Sequence, residues 1–347
     1  LLPYLERLSE KSTLPVSAHP NAGLPNELGD YDTSAAEMAA DIEQYFRRSL
    51  VNIVGGCCGS RPEHVRAIAE KASGYSPRPL EAHAPSTKVS GLQSLSVKNT
   101  TRLIRIGERT NATGSARMMR LIREERYEEA LHIGRQQIEA GADMLNISVD
   151  EAMIDSEKVL PAFLRRVAAE PDVAMVPLML DSSRFTAIEK GLKVLQGKSI
   201  VNSISLKDGE ETFKQQARTI HHLGAAVVVM AFDEQGQGDT FERKTQICQR
   251  AYRILTRELD FPPEDIVFDP NVFAVGTGVV EHNAYAGDFL RAVEWIKNHL
   301  PYAKVNAGIS NVSFAFRGNR KLREAINSVF LHHCEQAGLD FAIINPD

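Results

Sequence analysis

The stretch of sequence that decides the fold is Leu103-Ile104-Arg105-Ile106-Gly107-Glu108-Arg109-Thr110-Asn111. It joins a short, mainly aliphatic run to a polar turn, and the same combination recurs along the rest of the chain. A run of this length with aliphatic residues in it is typical of a parallel strand that is buried on both faces. Residues 103–108 are therefore predicted to form a strand with polar side chains at its carboxyl end.

Seven further runs of this kind follow, separated by segments with helical spacing of apolar residues. The predicted strands are Leu103–Glu108, Met144–Val149, Val176–Asp181, Ser199–Ile204, Ala225–Phe232, Ile266–Asp269, Lys304–Gly308 and Phe341–Ile344. Eight strand–helix units in about 250 residues is the number required for a (β/α)8 TIM barrel. The fold class predicted for residues 101–347 is therefore α/β, as a barrel of this type.

The first part of the chain predicts a shorter strand–helix–strand–helix segment. Its predicted strands are Leu14–Ala18 and Leu50–Val54. One predicted helix spans residues 34–48, and a second begins at Pro62. Two strands are too few to close a sheet by themselves. Residues 75–100 are rich in proline, serine and glycine and are predicted to be a linker.

Composition excludes several classes of protein. The chain has 347 residues, of which 43% are hydrophobic and 24% charged, as in ordinary globular proteins. Its formal net charge of -5 argues against a nucleic-acid binder, and no apolar run is long enough to cross a membrane. The four scattered cysteines indicate a reducing cytoplasm. Because the chain begins Leu1-Leu2-Pro3, without Met or a signal segment, it is expected to be part of a longer polypeptide.

Polar residues follow nearly every predicted barrel strand, at the end where such barrels place their active sites. They include Glu108, Asn111, Asn146, Ser148, Asp150, Asp181, Asn202, Asp233, Asp269, Asn271, Ser310, Asn311 and Asn345. Carboxylates and amides in alternation suit a flat heterocycle with an amidine edge, such as a pterin or a purine. The alternative is that each is a turn former or a helix cap, which applies to Asp181 and Asp155 in particular. Recurrence on most strands favours a polar pocket.

A second motif, Gly55-Gly56-Cys57-Cys58-Gly59, follows the Leu50–Val54 run. Two thiolates at a strand end can bind a soft metal such as zinc, but a zinc site needs four ligands. The alternative is a pair of buried, inert cysteines. Cys248 and Cys334 lie on predicted helices and are expected in the core. No glycine-rich segment has the strand–turn–helix context of a phosphate-binding loop.

Several of these segments resemble the folate (pterin-binding) domain of the cobalamin-dependent methionine synthase family. They are residues 106–111 (IGERTN), 181–183 (DSS), 200–205 (IVNSIS), 230–237 (MAFDEQGQ) and 308–314 (GISNVSF). Residues 18–25 (AHPNAGLP) and 55–59 (GGCCG) resemble the end of the homocysteine-binding barrel of the same family. The resemblance therefore implies that residues 1–74 are the last strands and helices of a second, truncated barrel. The motifs occur in the order of the family and span nearly the whole chain.

The resemblance implies a two-step methyl transfer, from 5-methyltetrahydrofolate to cob(I)alamin and from there to homocysteine held as a zinc-bound thiolate. Cys57 and Cys58 match two of the three zinc-ligating cysteines, and the third lies upstream in the family. The implied cofactors are 5-methyltetrahydrofolate as substrate, cobalamin bound by a domain outside this chain, and zinc. The implied partners are that cobalamin-binding domain of the same polypeptide and the homocysteine-binding domain.

The resemblance also implies roles for individual residues. The positions that match pterin-contacting or cofactor-binding residues are Glu108, Asn111, Asp181, Asn202, Asp269, Asn311 and Arg317. Asn311 and Asp181 are expected to serve catalysis. Asn311 would accept a hydrogen bond from N5 once this nitrogen is protonated. Asp181, Asn202 and Asp269 would hold the pterin edge. The chain departs from the family at Asn146-Ile147-Ser148, where the family usually has Asp-Ile-Asn, and at its Ile344–Asp347 end.

Three alternatives remain open at this point. The same barrel occurs in stand-alone methyltetrahydrofolate:corrinoid protein methyltransferases, and a non-catalytic pterin-binding module would carry the same pocket. Dihydropteroate synthase is a related barrel, and the absence of an apparent phosphate-handling loop argues against it.

Overall fold

The structure, a computed structural model, describes residues 1–80, 84–97 and 102–346. It divides into two compact units with the boundary between Ala84 and Pro85. Residues 81–83 and 98–101 of the predicted linker and barrel start, and Asp347 of the departing carboxyl end, lie outside the described residues. Among the helices of the described residues, none combines the length and apolar character needed to cross a bilayer.

The first unit contains three helices and a pair of parallel strands. The helices are α1 (Leu2–Lys11), α2 (Ala35–Arg47) and α3 (Pro62–Ala72), and the strands are β1 (Ser17–Ala18) and β2 (Ile53–Val54). A capping box of Ser34 and Glu37 starts α2 and satisfies backbone N–H groups that have no partner within the helix. Met38 and Ile42 on α2 pack in a core with Leu50 and Val51, whereas Ile53 on β2 is 55% exposed. The predicted buried strand is therefore buried only in its first half.

The second unit is a closed barrel of eight parallel strands, as the sequence predicts. The barrel strands are β5 (Ile104–Gly107), β6 (Met144–Ile147), β7 (Leu178–Asp181), β8 (Ile200–Ile204), β9 (Ala226–Met230), β12 (Ile266–Asp269), β13 (Lys304–Gly308) and β14 (Phe341–Ile344). A small hairpin, β10 (Phe232–Asp233) and β11 (Gly236–Gln237), follows β9.

Helices surround the barrel. They are α4 (Ala116–Arg123), α5 (Tyr127–Glu139), α6 (Ser156–Ala169), α7 (Pro171–Ala174), α8 (Phe185–Leu192), α9 (Glu210–His222), α10 (Phe241–Glu258), α11 (Tyr285–His299) and α12 (Arg320–Gln336). One set of strand residues packs in a large core with these helices, and alternate residues fill the barrel interior. Ile106, Met144 and Met179 belong to the interior set, and Asn146 and Asp181 follow two of them at the same spacing.

The prediction of a linker is wrong for residues 87–97. They form an antiparallel hairpin, β3 (Thr87–Ser90) and β4 (Ser94–Val97), whose Val89 and Val97 pack with the barrel interior. The tip donates hydrogen bonds from Leu92 N to Ala174 O (2.8 Å) and from Gln93 N to Met175 O (3.1 Å), at the carboxyl end of α7. The hairpin therefore closes the amino-terminal end of the barrel, opposite the polar strand ends.

Candidate functional site

Asp181, at the carboxyl end of β7, is held by two asparagines from neighbouring segments. Its Oδ2 accepts hydrogen bonds from Asn111 Nδ2 and Asn146 Nδ2, both at 3.0 Å. The backbone N–H groups of Thr113 and Gly114 donate to Asn111 Oδ1, which fixes the orientation of this amide. The carboxylate of Asp181 therefore does not act as a helix cap. Burial raises its pKa to about 6, and repulsion from Asp150 acts in the same direction, whereas the two amide donors oppose the shift.

Asp150, which follows the neighbouring strand β6, has a pKa shifted in the opposite direction. Ser182 Oγ donates to its Oδ1 at 2.8 Å, and the N–H and hydroxyl of Ser183 donate to its Oδ2 at 2.6 and 2.7 Å. Burial acts to raise the pKa of Asp150, but these hydrogen bonds outweigh it and hold the pKa below its usual value. Asp150 therefore stays ionised, while Asp181 titrates closer to neutrality.

Asp269, at the end of β12, has an environment similar to that of Asp181. Asn306 Nδ2, from the neighbouring strand β13, donates to its Oδ2 at 3.1 Å, and Asn271 N donates to its Oδ1 at 2.9 Å. Burial raises the pKa of Asp269 to about 6 against these bonds and the attraction of Lys244. Each of the two aspartates is therefore a buried carboxyl held by an asparagine from an adjacent barrel strand.

Both of these asparagines have an amide oxygen without a partner. In the described part of the chain, four buried side-chain polar atoms have no hydrogen bond, and they include Asn146 Oδ1, Asn306 Oδ1 and Asn327 Oδ1. A buried carbonyl without a donor costs about 1–3 kcal/mol. A ligand that brings N–H donors to this end of the barrel would recover that free energy.

The described residues line two clefts at this end of the barrel. The first, here called the aspartate cleft, has a volume of about 290 Å³ and is lined by Asp181, Asn202, Ser205, Met230, Phe232 and Gln237, among others. Asp181 and Asn202 are register partners on β7 and β8, so the two side chains stand side by side. Most of the residues that line the cleft are polar, and Met230 and Phe232 add apolar surface, so the cleft offers both hydrogen-bond partners and ring contacts to a small heterocycle.

The second cleft, here called the arginine cleft, has a volume of about 280 Å³ and is lined by Glu108, Arg109, Arg317, Arg320, Arg323 and Asn327, among others. Arg323 is fixed by hydrogen bonds to Ser313 Oγ (3.1 Å) and Ser310 O (3.3 Å), and the Arg317 guanidinium stacks 3.4 Å from the ring centroid of Phe314. Burial raises the pKa of Glu108, whose Oε2 accepts from Ser310 Oγ. The lining contains four guanidinium groups and only two carboxylates, those of Glu108 and Glu324, so positive charge is in excess and the cleft suits an anion.

The structure thus joins Asn111 to Asp181 by a hydrogen bond, places Asn202 beside Asp181 and puts Glu108 and Arg317 in the lining of one cleft. Asn311 is exposed on the 3-10 helix Ile309–Phe316 after β13, and neither Asn311 nor Asp269 is among the described residues that line either cleft. Sequence reasoning missed Asn306, although an asparagine within an otherwise aliphatic strand was a usable signal. It also missed Arg320 and Arg323, whose charged side chains resemble those of any solvated helix.

Cys57 and Cys58 are both exposed, so the alternative of a buried pair is wrong for them. Their sulfur atoms lie 3.9 Å apart, and the turn is fixed by Cys57 N to Pro20 O (2.9 Å) and Cys58 N to Asn21 Oδ1 (3.1 Å). Nowhere in the described ranges do three His, Cys, Asp or Glu side chains form a group that could hold a metal. The residues present supply two of the four ligands that zinc requires and do not by themselves fit the ion.

The thiols are expected to fall into two classes in the native protein. Cys57 and Cys58 should react rapidly with a thiol reagent such as 5,5′-dithiobis(2-nitrobenzoate). Cys248 and Cys334 should react only after denaturation, because both are buried and burial raises the pKa of Cys334 to about 12 and that of Cys248 further. A Cys57→Ser/Cys58→Ser variant should lose the whole fast phase. Fast reaction of all four thiols in the folded protein would contradict this packing.

Comparison with known proteins assigns a family to each of the two parts of the chain. The model of the family described as pterin binding enzyme matches residues 107–345, and that of homocysteine S-methyltransferase matches residues 1–72. Similar solved structures include the dihydropteroate synthases of Xanthomonas albilineans with indole-2-carboxylic acid and 6-chloroguanine (15% identity, TM-score 0.54), Yersinia pestis with a pterin–sulfa conjugate (14%, 0.52) and Thermus thermophilus (20%, 0.51). The matches cover 75%, 72% and 75% of this chain and 93%, 89% and 93% of theirs, respectively. At these identities the likeness shows the barrel fold alone. Since the first family match spans more than half of the chain, the chain belongs to the pterin binding enzyme family.

Proposed function

We propose that the barrel binds 5-methyltetrahydrofolate and donates its N5-methyl group to cob(I)alamin, for the remethylation of homocysteine to methionine. The observation that carries this proposal is the pair of asparagine-held aspartates, Asp181 and Asp269, beside two amide oxygens without partners. A reduced pterin carries several N–H donors along one edge. A carboxylate accepts two parallel N–H bonds from such an amidine-type edge, and the free amide oxygens accept others.

The arginine cleft suits the other end of the folate. The aminobenzoyl-glutamate part of this molecule ends in carboxylates, which guanidinium groups bind through paired hydrogen bonds. We assign Arg317 and Arg323 to this part, because both line the cleft and Arg323 is already held in place by two bonds. Asn327 Oδ1 in the same cleft lacks a partner and is available to a donor of the ligand.

The chemistry requires that the N5–methyl bond break with its electron pair left on nitrogen. Cob(I)alamin, carried by another domain, would supply the nucleophile that takes the methyl group, and N5 would take up a proton from solvent. Asn311 is assigned to N5, where its amide oxygen would accept the hydrogen bond of the new N–H. Asp181, Asn202 and Asp269 hold the pterin in place, and an exposed Asn311 is compatible with an acceptor that approaches from outside the barrel.

The match of residues 1–72 to homocysteine S-methyltransferase supports the second half of the proposal. Cys57 and Cys58 would contribute two thiolates to a zinc site completed by residues outside this chain, within the homocysteine-binding domain. No step of the reaction is assigned to zinc. The four cysteines are free thiols, which is consistent with a location in a reducing cytoplasm.

Dihydropteroate synthesis is the second candidate, because the arginine cleft would also suit a diphosphate or the carboxylate of 4-aminobenzoate. Calorimetric titration of the folate, together with a measurement of dihydropteroate formation, distinguishes the two candidates. We expect 5-methyltetrahydrofolate to bind to one saturable site, and we expect no dihydropteroate from a dihydropterin diphosphate with 4-aminobenzoate. Formation of dihydropteroate together with failure to bind 5-methyltetrahydrofolate would reverse this ranking.

The affinity for 5-methyltetrahydrofolate is expected to fall as the pH drops below about 6. Asp181 and Asp269 each have a pKa of about 6 and accept hydrogen bonds from the pterin only when ionised. Below that pH, each of the two carboxylates lowers the affinity by up to tenfold for every pH unit. The stability of the ligand-free barrel is expected to depend on pH in the opposite direction. A pKa raised above that of the unfolded chain stabilises the protein at low pH, and this contribution is lost as the pH rises through about 6.

Calorimetry between about pH 5 and about pH 8 checks the binding prediction. The Asp181→Asn variant should show a shallower pH dependence in its residual binding, since one titrating carboxyl is gone. An affinity that stays constant or rises from pH 7 to 5 would contradict the roles of the two carboxylates.

A further inference from the structure

Lys244 on α10 is a fully buried lysine at the same end of the barrel as the two clefts. Its Nζ donates to three backbone carbonyls, those of Gly238 (2.9 Å), Pro270 (2.6 Å) and Asn271 (2.8 Å), and lies 4.7 Å from the ring centroid of Phe273. The three ammonium hydrogens are thus all used without a carboxylate in direct contact. Burying a cation in this manner is costly, and a methionine would fill similar space.

The three carbonyls belong to two loops that lead away from the barrel strands. Gly238 follows the β10–β11 hairpin, and Pro270 and Asn271 follow β12. Asn271 has a φ of +58°, in the left-handed region that non-glycine residues rarely adopt, and its Nδ2 donates to Ala231 O at 2.6 Å. Its N–H donates to Asp269 Oδ1. Lys244 therefore fixes the carbonyl of the same residue whose N–H orients Asp269.

Lys244 also acts on Asp269 through its charge. Burial lowers the pKa of Lys244 to about 8, so the side chain is still mostly protonated at neutral pH. The titratable groups that face it are Asp269 on β12, Cys248 on α10, Asp288 on α11 and Asp239 before α10. Among them Asp269 is the aspartate assigned to the pterin, and its attraction to the ammonium group favours the carboxylate form.

We propose that Lys244 is a positioning residue of the pterin site, which fixes the 270–271 backbone behind Asp269. This role rests on the proposed function, because it concerns the residue that holds the pterin. Lys244 itself is buried beneath the loops and contacts backbone oxygens and an aromatic ring.

The test compares Lys244→Met with Lys304→Met in the full chain. Lys304 is the matched control, since it is also a buried lysine but lies at the start of β13, at the other end of the barrel. We expect Lys244→Met to weaken 5-methyltetrahydrofolate binding by about tenfold at neutral pH and to move the acid limb of the binding profile up by about one pH unit. Lys304→Met should change neither, even where it lowers the melting temperature.

Lys244→Gln is the second variant, in case Lys244→Met does not fold. It keeps amide donors for the carbonyls and loses the charge, so the acid limb should still move upward. Saturable binding by the wild type with unchanged affinity and pH profile in the Lys244 variant would overturn this role alone. No binding by the wild type would overturn the proposed function and this role with it.

Discussion

Replacement of Asp181 by asparagine is expected to weaken 5-methyltetrahydrofolate binding by about 100-fold or more. Charge-assisted hydrogen bonds contribute about 1.5–3 kcal/mol each, and the carboxylate is assigned two of them to the pterin. The substituted amide also has no satisfactory orientation. Its NH2 group would either face the Nδ2 donors of Asn111 and Asn146 or point at the donors of the ligand.

Asp265→Asn is the matched control for this substitution. Asp265 is also a buried aspartate with a pKa raised by burial, but it precedes β12 at the other end of the barrel and pairs with Lys198 Nζ at 2.6 Å. Calorimetry at neutral pH should show that Asp265→Asn retains wild-type affinity while its stability falls. An affinity of Asp181→Asn within about threefold of the wild type, which is under 1 kcal/mol, would remove Asp181 from the site.

Gly91→Ala is expected to destabilise the barrel by about 2–4 kcal/mol. Gly91 lies at the tip of the β3–β4 hairpin, where an added Cβ would stand 2.3 Å from Ala174 O and 2.4 Å from Val176 O. Both obstacles are backbone atoms and cannot rotate away as a side chain would. The hairpin would have to move away from the carboxyl end of α7, which would break the hydrogen bonds donated by Leu92 and Gln93. This movement would also expose the apolar residues of the barrel interior at its amino-terminal end.

Gly287→Ala serves as the control for the same chemical change. Gly287 lies in the first turn of α11, and an added Cβ would meet no atom of the described residues within 4 Å. Since alanine favours helices over glycine, this variant should be unchanged or more stable by up to about 1 kcal/mol. Urea denaturation measures both. A midpoint for Gly91→Ala equal to that of the wild type would show that the hairpin does not seal the barrel as described.

The barrel was predictable because each strand carries its own local signal. Phe341–Ile344 and Ile266–Asp269 are short aliphatic runs in the sequence, and the structure gives them the same bounds. The hairpin at 87–97 was not predicted, because serines and nearby prolines conceal a strand pattern. Val89, Leu95 and Val97 do alternate with polar residues, which is the period of a half-buried strand.

The site was predictable only as far as strand ends could be recognised. Asp150 and Asp181 both follow barrel strands and look equivalent in sequence, yet one has a lowered and the other a raised pKa. The difference comes from partners that are distant along the chain, namely the serines after β7 and the asparagines of two other segments. Lys244 was missed for the same reason, since a lysine on a helix is normally solvated and only the fold buries it.

Methyl transfer from 5-methyltetrahydrofolate to free cob(I)alamin is the decisive assay of the proposed activity. We expect the chain to accelerate the consumption of cob(I)alamin, the rate to saturate with folate, and tetrahydrofolate to accumulate in equal amount. Asp181→Asn should abolish this reaction, and Asp265→Asn should retain it. Saturable folate binding without any transfer would instead indicate a non-catalytic pterin-binding module and would contradict the proposed methyltransferase activity.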